Sequence, residues 1–152
     1  MSDPIQFTEA SPRFALPFLF AAQSQKEFFV NEALARTDIL LHPAIQAEIP
    51  VPPANPADGH CWLVADGGTG EWTGRDGLIA GYSSGSWIFA IPTTGMRIYD
   101  LSKGQYRLFR DGWISPDAPA QPTGGTAPDT ELRAAFADLI EALTNAGIFP
   151  VT

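Results

Sequence analysis

Short runs of β-branched and aromatic residues fill the middle of the chain, between residues 59 and 113, and clusters of Gly, Ser and Asp separate them. Apolar runs of this length, with a turn signal roughly every ten residues, are typical of antiparallel hairpins. The regular spacing favours a small sandwich or barrel over a parallel sheet. We therefore predict one antiparallel β unit at residues 57–114.

Before this unit the apolar residues recur at helical spacing. Ser24 and Glu27 have the spacing of a capping box, which predicts the start of a helix. Pro43 ends the pattern, because the residue before a proline is disfavoured in the α region. The predicted apolar face comprises Val30, Leu34, Thr37 and Leu41, with Phe29, Ala33 and Leu40 beside them and Gln23, Glu27, Asn31 and Asp38 opposite.

A second helix is predicted near the end of the chain, from about Asp129 to Asn145, with Gly147 as the residue beyond its end. The pattern as a whole predicts an α+β fold: a small antiparallel β sandwich or barrel at about residues 60–113, preceded by one amphipathic helix and followed by a short C-terminal helix. The predicted segments are an extended N-terminal strap (1–23), the first helix with a short strand (24–49), the β unit (57–114), a Pro/Gly-rich connector (115–127) and the C-terminal helix (128–149).

The charge balance argues against two classes of partner. With 17 acidic and 9 basic residues, the net charge is −8, so the chain repels phosphate backbones and anionic membrane surfaces. The longest apolar run, from Phe14 to Ala22, is too short to span a bilayer. We expect no nucleic-acid binding and no membrane insertion. The N-terminal residues lack the positive charge of a signal peptide, so we predict folding and assembly in the cytoplasm.

The chemistry-bearing residues do not form a catalytic pattern. His60 and Cys61 are neighbours in a predicted strand, so their side chains point to opposite faces and cannot act as a base and nucleophile. We predict that Cys61 is buried and His60 exposed. The glycine-rich stretch 66–70 is followed by Glu71-Trp72 rather than by Lys-Ser/Thr and a helix, which indicates a hairpin turn and not a phosphate cradle. We predict no catalytic residue, no metal and no cofactor.

Aromatic residues beside polar turns suggest a carbohydrate-binding face. An aromatic ring can stack on the C–H side of a sugar while nearby charged groups bind its hydroxyls. Trp62, Trp87 and Phe89 alternate with core-type positions and are predicted to fill the core. Trp72 and Trp113 lie beside Gly-rich or Asp-Gly turns and are predicted to be exposed. The candidate ligand-binding residues are Trp72, Trp113, Tyr82, Asp76 and Asp111.

Several spaced motifs, in a consistent order, cover roughly residues 13–113. They are Phe14-Ala15-Leu16-Pro17-Phe18, Gln23-Ser24-Gln25-Lys26-Glu27, Asn31-Glu32-Ala33-Leu34, Pro52-Pro53-Ala54, Trp62-Leu63-Val64, Gly77-Leu78-Ile79-Ala80 and Gly85-Ser86-Trp87. Together they resemble a family of unknown-function domains found in prophages and gene-transfer agents of alphaproteobacteria, usually within fibre or spike proteins. The resemblance implies a virion or particle surface location and contacts with other virion proteins. It carries no enzymatic residues.

Three functions fit these observations. The leading hypothesis is a non-catalytic fibre or spike module that binds host surface polysaccharide. The alternative is a structural adaptor that joins a fibre or spike to the virion. The third is a glycan-cleaving enzyme, which would need a carboxylate pair among Asp66, Glu71, Asp76 and Asp111.

We also expect a homo-oligomer, held partly by the helices. The apolar stripe of the closing helix extends over only about two heptads, fewer than a self-sufficient coiled coil needs. In the first helix, consecutive apolar residues cannot all face one small core. The candidate interface residues are Phe28, Phe29, Leu132, Phe136, Leu139 and Leu143. Fibre architecture favours a trimer, a fivefold arrangement is the main alternative, and in a monomer both helices would simply cap the sheet.

Overall fold

The structure, a computed structural model, describes residues 10–19, 26–124 and 129–151, without the side chains of residues 26–28. The predicted capping box and the side chain of Phe28 therefore lie outside the described residues. Within these described residues, two helices and eight strands form an α+β fold, as the sequence predicts. The elements are α1 (Lys26–Leu40), β1 (Ala44–Ile45), β2 (Glu48–Ile49), β3 (Cys61–Val64), β4 (Ile79–Ser83), β5 (Ser86–Ala90), β6 (Arg97–Asp100), β7 (Gln105–Phe109), β8 (Trp113–Ile114) and α2 (Thr130–Asn145), with a 3₁₀ turn at Gly70–Trp72.

The chain divides into two compact units, Met1–Pro92 and Thr93–Thr152. The first unit contains a sheet of order β2-β3-β4-β5. Strand β2 runs parallel to β3, and the other neighbours are antiparallel. This sheet ends at β2 and β5, so it does not close into the barrel that was one of the two predicted forms.

Strand β3 lies at the centre of the first unit, between β2 and β4. All four of its residues are buried, as expected for a strand covered on both faces. Cys61 is buried and His60, just before the strand, is exposed, as predicted for these two residues, although burial does not alternate within β3. Leu63 and Val64 form the core together with Ile79 of β4.

The face of α1 that packs inward differs from the predicted one. Ala35, Asp38 and Ile39 are buried, whereas Val30 and Leu41 are exposed. The prediction of the apolar face is therefore wrong, although the helix ends at Leu40, close to the predicted stop before Pro43. A polar residue on the inner face was not expected from periodicity alone.

The physical reason is a tight turn in the N-terminal strap. The buried carboxylate of Asp38 accepts hydrogen bonds from Ser11 Oγ (2.6 Å), Phe14 N (2.7 Å) and Arg13 N (3.1 Å). An antiparallel bridge between Ala10 and Pro17 closes this turn. Residues 10–17 are thus not simply extended, and Asp38 belongs inside because it satisfies the amides of the strap.

The strap also caps the end of α1. The guanidinium of Arg13 donates to the carbonyls of Asp38 (3.0 Å), Ile39 (3.0 Å) and His42 (2.8 Å). The last turn of α1 has no basic residue of its own. Helix C-termini leave carbonyls unpaired and favour cations. Arg13 therefore supplies the hydrogen-bond donors and the positive charge that the last turn of α1 lacks.

The second unit contains the antiparallel strands β6, β7 and β8 and the helix α2. Asp129 caps α2 by accepting a hydrogen bond from Leu132 N at 2.8 Å. At the other end, Ile148 N donates to Leu143 O and Gly147 N to Thr144 O, both at 2.9 Å. This is a Schellman motif with Gly147 at positive φ, and it confirms the second helix within its predicted bounds.

Candidate binding surfaces

The aromatic residues of the first unit form a packed cluster. Trp72 contacts Trp62 and Trp87 at ring-centroid distances of 6.5 and 5.0 Å, and Tyr82 packs edge-on against Trp87 at 5.0 Å. Trp62 is buried, while Trp87 and Phe89 are half-buried against the cluster. The prediction that Trp62, Trp87 and Phe89 fill the core is confirmed for Trp62. Trp87 and Phe89 pack at the border of the core.

Trp72 is fully buried, with 0% of its surface exposed, so the prediction that it is exposed is wrong. The 3₁₀ turn at Gly70–Trp72 lies within the loop that joins β3 to β4 and directs the ring inward, against Trp62 and Trp87. The flanking glycines mark a backbone turn, which does not determine the direction of the next side chain. A ring with no exposed surface cannot stack on a sugar.

Asp76 organises this loop through two backbone hydrogen bonds. Its exposed carboxylate accepts hydrogen bonds from Gly68 N (2.9 Å) and Gly67 N (3.1 Å). These two bonds, that from Gly68 first, lower the pKa of Asp76 below its usual value. The amides of the glycine-rich stretch are occupied by a carboxylate of the same loop, in agreement with a turn rather than a phosphate cradle.

The remaining predicted ligand residues lie in the second unit. Trp113 is half-buried and packs edge-on against Phe109 at 5.1 Å. Asp111 is exposed in the preceding turn, at positive φ. The other three candidates, Trp72, Tyr82 and Asp76, belong to the first unit. The part of the chain that the structure describes has three surface grooves of interest, and none of the five candidates lines any of them.

The first groove, here called the Tyr106 groove, lies in the second unit and encloses about 620 Å³. The Tyr106 side chain is 49% exposed, and Ile114 and Ile148 are also exposed. Arg97, likewise exposed, lines the same groove with Arg107. The other lining residues are Leu108, Ser115, Pro116 and Ala146. The lining is therefore mostly apolar, with Arg97 as its exposed cation, and the sequence prediction did not find this groove.

A buried ion pair and the end of α2 hold the Tyr106 groove in place. Arg107 donates to Asp100 Oδ2 at 2.6 and 2.9 Å, and both side chains are buried. Tyr106 N donates to the carbonyl of Gly147 at 2.7 Å. A Cβ at Gly147 would lie 3.2–3.4 Å from the rings of Tyr99 and Tyr106. The chain just beyond α2 therefore approaches β6 and β7 closely only because residue 147 is a glycine. This glycine is the one feature of the sequence that could have indicated the contact.

The second groove, here called the β5-edge groove, lies in the first unit and encloses about 580 Å³. Residues 87–91 line one side, and Glu32, Arg36 and Leu40 of α1 line another. Arg75 and Leu78 complete it, and the Arg75 guanidinium lies 4.9 Å from the centre of the Phe89 ring. The groove therefore runs between the outer strand of the sheet and one side of α1.

The third surface is the side of α2. Within α2 no residue is buried, and Leu132 and Leu139 are 66% and 54% exposed. Phe136 and Leu143 are half-buried. Near its start, α2 forms a groove of about 500 Å³ with residues Ala120 and Pro122 of the connector. The predicted apolar stripe thus exists and is partly open to solvent.

None of these three grooves is lined by two carboxylates: the Tyr106 groove has none, and the others have Glu32 and Asp129, respectively. Glycoside hydrolysis needs two carboxyl groups at a set separation. Among the described residues, no three His, Cys, Asp or Glu side chains gather as metal ligands would. None of the helices described is long and apolar enough to cross a membrane.

The comparison with known proteins agrees with part of the sequence prediction. No curated protein matches this chain. A family model described as "Protein of unknown function (DUF2793)" matches residues 30–114, which is more than half of the sequence and runs from α1 to β8. The motifs before Val30 and the whole of α2 lie outside the match. The chain belongs to this family of proteins of unknown function.

Proposed function

We propose that this chain is a non-catalytic assembly module of a phage or gene-transfer-agent particle, an adaptor that joins a fibre or spike to other virion proteins. The observation that carries this proposal is the open apolar stripe of α2, with Leu132 and Leu139 more than half exposed. The motifs that resemble fibre and spike domains support the particle context. We place the adaptor function before carbohydrate binding, the leading hypothesis from the sequence, because Trp72, a residue on which that hypothesis relied, is buried.

The stripe fits a groove on another chain better than a coiled coil. α2 has 16 residues, and an isolated helix of this length is marginal in water. Its C-terminal end is anchored to β7 through Gly147, as described above, while the stripe extends from Leu132 to Leu143. Apolar residues at such spacing are the usual anchors of a helix that lies in a partner's groove.

Particle incorporation tests this proposal. Particles are purified from a host that carries the gene, with either the natural chain or the double variant Leu132→Asp and Leu139→Asp. We expect the natural chain in the particle fraction and at least about a tenfold loss of the variant, because two charges would be buried in the docked state. The double variant Glu131→Gln and Asp138→Asn, on exposed polar positions of the same helix, is the matched control.

Two outcomes would contradict the assembly proposal. One is the absence of the natural chain from purified particles. The other is equal incorporation of the apolar-stripe variant and the natural chain, since the stripe would then have no role in docking. Far-UV circular dichroism of both variants shows whether α2 still folds.

Carbohydrate binding is a second candidate, and the Tyr106 groove favours it. The half-exposed ring of Tyr106 can stack on a sugar, with Arg97 and Ser115 beside it as hydrogen-bond donors. This site replaces the predicted one, because Trp72 is buried and Asp76 is engaged in its own loop. Aromatic stacking supplies affinity without any catalytic group.

Affinity electrophoresis through host capsule polysaccharide tests this second candidate. Tyr106→Ala is expected to abolish retardation, whereas Tyr106→Phe keeps the ring and is expected to retain most of it. Trp113→Ala tests the residue predicted from the sequence and is expected to leave binding unchanged. If the natural chain is not retarded, or if Tyr106→Ala is retarded equally, the groove does not bind carbohydrate. New reducing ends would instead indicate cleavage.

A further inference from the structure

Strand β5 is the outermost strand of its sheet in the described part of the chain. The hydrogen bonds of β4 show which groups of β5 point outward. Tyr82 N donates to His60 O (3.0 Å), and Tyr82 O accepts from Gly59 N (2.8 Å), so Tyr82 bonds away from β5. Its partner across the β4–β5 pair is Trp87. Because bonding directions alternate along a strand, the N–H and C=O groups of Trp87 and Phe89 face the open edge.

Strand β5 itself carries no charged residue, proline or bulge, although Arg75 packs on Phe89 and Pro92 lies two residues beyond the strand. Exposed edges normally carry charged side chains, prolines or bulges that prevent pairing with another chain. Residues 87–91, by contrast, are Trp-Ile-Phe-Ala-Ile, and Ile91 is exposed. An apolar edge of this kind is a template for strand pairing.

We propose that two copies of this chain pair through β5, antiparallel and around a twofold axis at Ile88. In this register Trp87 of one copy lies opposite Phe89 of the other, and Ile88 lies opposite Ile88. Every outward N–H of the two β5 strands then meets an outward C=O, because both Trp87 and Phe89 bond toward the open edge. The register follows from the direction of the hydrogen bonds and not from side-chain type.

The neighbouring side of α1 is self-complementary in the same symmetry. Glu32, Arg36 and Leu40 line the β5-edge groove, and Phe29, 79% exposed, lies one turn earlier on the same stripe. Glu32 and Arg36 form an exposed ion pair at 2.9 Å within α1. In the proposed dimer the axis at Ile88 also passes the middle of this stripe, so that each ion pair meets its copy, with Glu32 near the other Arg36 and Phe29 near the other Leu40. Opposite charges and apolar groups therefore meet across the axis, which favours a second copy over an unrelated strand.

This inference is independent of the proposed adaptor function, since it uses the first unit and the adaptor surface is α2. It assigns Phe29 to a self-interface, as the sequence prediction does, and assigns the stripe of α2 to a different partner. It also proposes twofold symmetry where fibre architecture alone suggested a trimer.

Site-directed cross-linking tests the register. In an antiparallel pair without mutual hydrogen bonds, opposite Cα atoms lie about 4.5 Å apart, within the range that a disulfide spans. Ile88→Cys is therefore expected to form an interchain disulfide under mild oxidation. The native Cys61 is buried, and burial raises the pKa of its thiol to about 11. We therefore expect Cys61 to form no disulfide under these conditions. Leu139→Cys, exposed on α2, is the matched control and is expected to cross-link at least about tenfold more slowly.

Sedimentation equilibrium of the full chain provides a second measurement that does not depend on an introduced cysteine. At about 100 μM, well above a micromolar Kd, we expect a dimer mass, and a monomer mass for Ile91→Lys and Phe29→Asp, which alter exposed residues. Leu139→Asp is expected to keep the dimer mass. A monomeric natural chain would overturn the proposal. So would dissociation by Leu139→Asp alone, or a dimer in which Leu139→Cys cross-links and Ile88→Cys does not.

Discussion

The two helices of this chain differ in what covers them. On α1, Ala35, Asp38 and Ile39 are buried against the N-terminal turn and the sheet, whereas no residue of α2 is buried. Yet α2 has the more regular apolar stripe of the two. The comparison shows that apolar periodicity locates a helix but does not establish which side is covered, because a polar group with a sufficient set of partners can be buried as well.

The largest expected difference between the helices comes from truncating one apolar side chain on each. Ile39 is buried and packs tightly on Gly81: a Cβ atom added to Gly81 would lie only 2.3 Å from Cδ1 of Ile39. We expect Ile39→Ala to lower the free energy of unfolding by about 3 kcal/mol, since it leaves a cavity. Leu139→Ala, on α2, should cost less than about 0.5 kcal/mol, as exposed substitutions do.

Urea titrations followed by tryptophan fluorescence for Ile39→Ala and by far-UV circular dichroism for Leu139→Ala measure these two free energies. Three of the four tryptophans lie in the first unit, so fluorescence reports mainly on that unit. Equal costs for the two truncations would show that α1 and α2 are covered to the same extent.

The second expected effect concerns the buried carboxylate of α1. Asp38→Ala leaves the donors of Ser11 and Phe14 without their acceptor, and we expect a loss of about 2 kcal/mol in the free energy of unfolding. Ser11→Ala removes one donor to the carboxylate and the acceptor of Leu16 N (3.0 Å), but it leaves the buried carboxylate its two backbone partners. It should therefore cost less than Asp38→Ala. Urea denaturation of both variants measures this order. The reverse order would show that the turn does not depend on Asp38.

The sequence predicted local features well where they depend on neighbouring residues. Asp129 as the start of α2 and Gly147 beyond its end each follow from backbone requirements of a few residues. The burial of Cys61 followed from the general preference of cysteine for buried positions. These are short-range constraints, and they are visible in one sequence.

Features that depend on distant parts of the chain were missed. The inner position of Asp38 depends on Ser11 and Arg13, which are 25–27 residues away in sequence. The burial of Trp72 depends on Trp62 and Trp87, and the Tyr106 groove depends on the end of α2. No pattern within a single segment shows which distant segment will cover it, so these contacts could not be predicted.

A smaller effect is expected at the start of α2. Asp129→Ala removes the side-chain acceptor of Leu132 N, and loss of such a cap costs about 1 kcal/mol. Because the C-terminal end keeps its Schellman motif, fraying should begin at the N-terminal turn. Hydrogen exchange of the amides of residues 131–133 is expected to accelerate, with little change at residues 143–145. Uniform acceleration along α2 would contradict separate anchoring of its two ends.

The smallest expected effect is a pH dependence confined to the loop of Asp76. The hydrogen bonds from Gly68 and Gly67 lower the pKa of this carboxylate below its ordinary value of 3.8. The bonds are therefore present at neutral pH and are lost as the pH falls through the lowered pKa in the folded chain. The amide shifts of Gly67 and Gly68 should titrate together in that acidic range, and Asp76→Asn should abolish the titration. A transition above pH 3.8 would contradict the assignment.

The proposal that α2 is open in the isolated chain and covered in the particle can be measured at one position. Leu139→Cys introduces a thiol on the exposed stripe, while Cys61 stays unreactive because it is buried. We predict rapid alkylation of this thiol in the purified chain and at least about tenfold slower alkylation in purified particles, since a docked helix excludes solvent from its apolar anchors. Asp117→Cys, exposed on the connector, is the control and should react equally in both. Equal reactivity of Leu139→Cys in the chain and in the particle would contradict the proposed role of α2.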